Sequence, residues 1–399
     1  MANPYRELFQ VPGAKGFTLA GLLARLPLPM TGIGIITMLS QLRGSYALAG
    51  AVSATFVLTF AVLSPQVSRL VDQHGQRRVL PLAAALSVLG ILLLLAFSYW
   101  QAPVWALLAS AALAGCMPSM SAMVRARWTA LYRGQANLQT AYALETVLDE
   151  VTFIAGPPLS VGFSVVLFAQ AGPLVAALLL AIGVFALVAQ VGTEPALQPR
   201  AATAQRQASV LRLGGVQLLA LLMVAMGVIV GTVDIVSVAF AEQQGRPAAA
   251  SLVLSCYAIG SCAAGLVFGA LELQSPLPRL LLLGGLATAV TTLPLLWAGN
   301  IAGLAVAVLV AGVFFAPTMI VAMSLVERIV PDSQLTEGMT WLLAGLNVGV
   351  AFGAAGAGQM VDLRGANAGF QLALVAGAAV LLVALLGYRQ MRGQVARCA

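Results

Sequence analysis

Long apolar runs follow one another along the chain, separated by short polar breaks. Twelve can be marked, at about 17–42, 46–70, 79–99, 103–124, 138–166, 172–192, 214–240, 248–271, 279–298, 301–326, 336–361 and 367–388. A hydrocarbon layer about 30 Å thick is crossed by about 20 helical residues, which is the length of these runs. Backbone N–H and C=O groups find no partner in hydrocarbon, so each run is predicted to be a helix. The run from Phe17 to Leu42 is too long for the apolar part of a cleaved leader, and no small-residue cleavage site follows it.

The longest break lies at 193–213 and holds Glu194, Pro195, Pro199, Arg200, Arg206 and Arg212. It separates six runs from six. The pattern predicts an N-terminal six-helix half over 1–192, a linker over 193–213 and a C-terminal six-helix half over 214–399. Asn137-Leu138 opens the fifth run and Gln334-Leu335 the eleventh, about 197 residues later, a faint echo of duplication.

Composition agrees with a lipid solvent. Apolar residues make up 60% of the chain and charged residues 8%, against roughly 25% charged in soluble domains. The net charge of +7 is spread singly and in pairs between the apolar runs. It therefore reads as a topology signal and not as a nucleic-acid footprint. With the N-terminus placed inside, sixteen Arg and Lys fall in inner loops. Arg43, Arg246 and Arg364 fall outside, and Arg25 within a run. Both termini are thus expected to be cytoplasmic, in a bacterial inner membrane. Trp100, Trp105 and Trp297 mark the outer ends of their runs.

The inventory excludes several chemistries. His74 is the only histidine, and the cysteines Cys116, Cys256, Cys262 and Cys398 lack zinc-ligand spacing. No metal site, catalytic triad or cofactor is expected, and the chain is not expected to be an enzyme. No glycine-lysine phosphate loop is present, so ATP is not the direct energy source.

The loop after the second run reads Ser68-Arg69-Leu70-Val71-Asp72-Gln73-His74-Gly75-Gln76-Arg77-Arg78. It resembles the signature of the major facilitator superfamily, with Asp72, Gly75 and Arg77 matching. Ser68 stands where the signature has its first glycine, and Gln73 and Gln76 stand at basic positions. The resemblance implies an all-α membrane protein of two six-helix halves that moves a small molecule by alternating access. It also implies a gating role for Asp72, Gly75, Arg77 and Arg78, with Arg125 at the end of the fourth run as a partner for Asp72. The alternative is a solvated turn bearing topogenic charges. Gly156-Pro157-Pro158 in the fifth run resembles the Gly-Pro motif of the superfamily's antiporters and predicts a kink there. The buried arginine that many drug antiporters carry in the fourth helix is read as missing. Gly260, Gly265 and Gly269 in the eighth run, and Gly349, Gly353 and Gly356 in the eleventh, predict close helix packing.

Ionisable groups inside a span are costly and mark function or a buried pair. The deep ones are Arg25, Glu145, Asp149, Glu150 and Asp234. Pro27 and Pro29 follow Arg25 and should distort its helix. Arg25 with one acid of the fifth run is either a structural pair or part of a proton-coupling or substrate cavity, to which Asp149, Glu150 and Asp234 are assigned. The expected activity is proton-coupled export of a small amphipathic compound by a monomer. Transport of a sugar, amino acid or organic anion is the alternative. A non-transporting membrane sensor or enzyme is the reading from another class.

Overall fold

The computed structural model describes residues 4–43, 46–196, 209–246, 249–271 and 275–398. Arg200, Arg206 and Gln198 of the linker lie outside them. Among the described residues the chain is helical, without strands. The twelve predicted passes are present. We number them α1 (Ala14–Arg43), α2 (Tyr46–His74), α3 (Gln76–Tyr99), α4 (Val104–Ala114 and Met120–Tyr132), α5 (Asn137–Val166) and α6 (Ala171–Val188). They continue as α7 (Gly214–Gln243), α8 (Ala249–Ala270), α9 (Leu277–Trp297), α10 (Ile301–Ile329), α11 (Leu335–Arg364) and α12 (Ala366–Cys398).

By length and composition ten helices are suited to cross a membrane; α4 and α5 are the exceptions. The fourth run was expected to be continuous and is not. Its helix stops at Ala114 and restarts at Met120. Pro118 supplies no N–H and disfavours helical backbone at Met117, which explains the break. α5 has the length, but Glu145, Asp149 and Glu150 lower its apolar character. α1 is assigned as two segments, Ala14–Arg25 and Pro27–Arg43, with Leu26 between them still in helical conformation.

The outer faces are apolar. Leu82 is 70% exposed, Phe185 66% and Val375 67%, a surface that water would penalise and lipid would not. Trp100, Trp105 and Trp297 are each more than 70% exposed at helix ends, the place of interfacial anchors.

The helices form two compact units. The first comprises 1–138, 148–204 and 332–340, and the second 139–147, 205–331 and 341–399. These units depart from a simple cut at the linker by two short segments, the starts of α5 and α11. In the first unit α1 packs on α6, and α3 on α4 and α6. Phe9 and Phe17 meet Trp128 edge-on, with ring centroids 6.3 and 4.6 Å away, and fasten the N-terminal segment to α4. In the second unit α7 packs on α12 and α8 on α10. Gly349 and Gly353 of α11 approach the backbone of α7 at Val224 and Val228, and Gly227 and Gly231 of α7 approach α11 at Leu346 and Val350. The close packing expected of α11 therefore has α7 as its partner, while Gly260 of α8 lies against Leu309 of α10.

Candidate functional site

The signature loop is built around a turn. Gly75 has φ +88°, a conformation in which a Cβ is strained, and its N–H donates to the Val71 carbonyl at 2.7 Å. The turn leaves Asp72 at the end of α2. Its Oδ1 accepts the N–H of Thr336 at 3.3 Å and its Oδ2 that of Glu337 at 2.8 Å. These donors belong to the first turn of α11, where no carbonyl of the helix can satisfy them, and the carboxylate also faces the positive end of the helix. Ser68, one turn earlier on α2, shares a 2.7 Å hydrogen bond with Thr340. The serine in the glycine position thus adds a second tie to the same helix. Arg69 lies 3.8 Å from Glu337, and Arg133 pairs with Asp332. A cleft of about 280 Å³ remains, with Asp72, Gly75, Thr129, Arg133, Asp332 and Thr336 among its lining.

Arg77 and Arg78 are exposed, as topogenic charges should be. The backbone N–H of Arg77 donates to Glu194 at 2.9 Å, which caps the start of α3. Gln76, at a position where the signature is basic, accepts from Arg127 Nε at 2.8 Å. Arg127 also donates to the Gln190 carbonyl at 2.8 Å, Thr193 Oγ1 at 2.6 Å and the Leu187 carbonyl at 3.1 Å. One buried guanidinium therefore serves the C-terminal end of α6, where free carbonyls gather. The sequence carried no signal that singled out Arg127 from its neighbours.

Deeper in the first unit, Arg25 and Arg125 meet Asp149. Arg25 Nη1 lies 3.0 Å from Asp149 Oδ1, and Arg125 Nη2 lies 2.8 Å from Oδ2. Ser121 donates to Oδ1 at 2.5 Å, and Arg25 Nε to the Gly21 carbonyl at 3.2 Å. The expected pairing of Arg25 with an acid of α5 is present, and Asp149 is that acid. Two expectations are corrected here. Arg125 does not reach Asp72: it lies inside the helix bundle and is fully buried, whereas Asp72 stands at a helix end and is taken by backbone donors. The fourth pass also carries a buried arginine after all, because Arg125 and Arg127 are both at 0% exposure. The α4 break shifts both residues from the helix end, where the sequence put them, into the packed core.

Glu150, next to Asp149, is half-buried, and Glu145 is fully buried in the second unit. Asp234 lies on α7 with an exposed side chain, and among the described residues it makes no hydrogen bond or ion pair. On α5, Pro157 and Pro158 sit within a continuous helix. A Cβ at Gly156 would lie 2.8 Å from Pro29, so this glycine seats α5 against α1 at that proline. Ser160 donates to the Met30 carbonyl at 2.8 Å in the same contact.

Long apolar helices in two units, a buried ion cluster and a capped signature loop define a polytopic membrane transport protein. The chain belongs to the Major Facilitator Superfamily, whose family model matches residues 17–247 and 218–397. Solved structures share the fold. A bacterial homologue of the iron transporter ferroportin, in an outward-facing state, is 16% identical with a TM-score of 0.75, covering 94% of this chain and 98% of that one. The human organic anion transporter MFSD10 is 15% identical with a TM-score of 0.70, covering 95% and 100%. The E. coli fucose:proton symporter FucP is 14% identical with a TM-score of 0.70, covering 93% and 98%. These proteins carry different solutes, so the shared fold does not specify one. No curated protein matches the chain in sequence.

Proposed function

We propose that this chain is a proton-coupled secondary transporter that exports a small organic compound by alternating access. It would work as a monomer in a bacterial inner membrane with both termini cytoplasmic. The observation that carries this reading is the placement of ionisable groups within apolar helices: the Arg25–Asp149–Arg125 cluster in the first unit and Asp234 in the second. Such groups cost several kcal/mol in hydrocarbon unless they are paired or reach a wet cavity. Asp149 is held by two arginines, whereas Asp234 has no such hold. Asp234 is therefore the better proton carrier, and the arginine pair around Asp149 the better anchor of a solute site. Antiport is supported by Gly156-Pro157, which resembles the antiporter motif and seats α5 on α1.

The test is transport by the purified protein in liposomes. With an inward proton gradient, candidate solutes should move outward against their own gradient, and protons should enter with them. Solute movement that ignores the proton gradient would overturn the coupling.

A further inference from the structure

We infer that the Arg25–Asp149–Arg125 cluster is the seat of an organic anion, a carboxylate in the first instance, with Asp149 as its internal placeholder. The inference rests on the transport reading only in taking this cluster as the solute site.

Three helices bring the groups together. α1 supplies Arg25, α4 supplies Arg125 and Ser121, and α5 supplies Asp149, whose carboxylate both arginines meet. The two oxygens of Asp149 are taken by different guanidiniums, at 3.0 and 2.8 Å. Guanidinium forks match planar carboxylates, so a site that accepts Asp149 has the donor geometry for the carboxylate of a solute. One of the contributing helices, α4, is interrupted at this level, just before Met120. Ser121 is the second residue of the restarted helix, so the positive end of that helix adds to the arginines. Interrupted helices whose N-termini face an anion are a recurrent construction of transporter sites.

The same geometry disfavours a cationic solute. An organic cation needs a free acid, and both Asp149 oxygens already face guanidiniums. The exposure pattern also points to exchange. The side chain of Asp149 is 12% exposed, against 3% for Arg25 and 0% for Arg125. An entering anion therefore meets the carboxylate first and can take its place on the arginines by a side-chain rotation, with no bond made or broken.

The experiment uses full-length protein and three probes that share one ring and differ in charge: benzoate, benzamide and benzylamine. Thermal unfolding is followed at increasing probe concentration. Benzoate should raise the wild-type midpoint, and the neutral and cationic probes should not. In Asp149→Asn the internal competitor is gone, and benzoate affinity should rise about tenfold, the effect of losing one charge-assisted contact that must otherwise be displaced. Equal effects of the three probes, a preference for benzylamine, or weaker benzoate binding by folded Asp149→Asn would overturn the inference. If Asp149→Asn does not fold, the wild-type ranking decides. Proton-driven transport of a neutral or cationic solute without benzoate binding would sink the anion site and leave the transport reading standing. Benzoate binding without proton-coupled transport would do the reverse.

Discussion

Asp72 holds the backbone N–H of Glu337 at 2.8 Å, so the last turn of α2 caps the first turn of α11. The two residues are 265 positions apart in sequence and belong to one compact unit. The contact combines a hydrogen-bond cap, worth about 1 kcal/mol, with a charge at a helix N-terminus, worth about 0.3–1 kcal/mol.

The cap predicts a graded series. Asp72→Asn keeps an acceptor and loses the charge, and should slow transport about fivefold, while Asp72→Ala loses both and should slow it about tenfold or more. Folded yield should hold in each, because Ser68 and Thr340 still tie the same helices. Transport rates in liposomes, with yield by size-exclusion chromatography, check this. Unchanged rates in both variants would leave Asp72 a topological marker.

The buried cluster predicts a stability loss centred on Asp149. Asp149→Ala leaves Arg25 and Arg125 without the acid they share, and should cost about 3–5 kcal/mol. Arg25→Gln leaves Asp149 held by Arg125 and should cost less. The double variant Arg25→Gln/Asp149→Ala should be more stable than the sum of its single losses, because the groups are in contact. Denaturation midpoints of the four proteins give the answer; strict additivity would dissolve the pair.

Asp234 predicts the opposite phenotype. Without an ion pair to break, Asp234→Asn should fold at the wild-type yield. It should abolish proton-driven uphill transport and spare downhill exchange, because only the proton site is removed. Both modes can be measured on one liposome preparation. Uphill transport with an unaltered pH dependence would remove Asp234 from the coupling scheme and return attention to Glu145 and Glu150.

Orientation is checked separately. Reporter fusions at Gln198 in the linker and Gln394 near the C-terminus should be active only as cytoplasmic reporters, as the distribution of Arg and Lys requires. An external reading at either site would contradict the inside assignment.

The passes were legible because lipid demands a simple pattern, and apart from the broken fourth run the apolar runs became helices near their expected limits. The pairing of Arg25 with an α5 acid was legible too, since a lone cation in an apolar helix needs a nearby anion. What the sequence did not reveal was depth. Arg125 and Arg127 follow an apolar run and look like residues at its end, but the interruption before Met120 resets where the helix lies and draws both into the core. Asp72 posed a related problem. Its partners are backbone N–H groups of Thr336 and Glu337, and a backbone donor has no residue type by which a sequence could announce it. The function of Gln76 was equally hidden, because an amide replacing a basic residue reads as a loss until Arg127 is seen donating to it.

The meeting of α7 and α11 has a mechanical meaning. Gly227 faces the backbone at Leu346, and Gly349 faces it at Val224, so that at these two points backbone meets backbone. Side chains act as bearings: by changing rotamer they let one helix roll over another. A joint of bare backbone has no such bearings, and even one added methyl group would jam it. α7 and α11 therefore behave as a single beam, and any flexing within the second unit has to occur along its other seams.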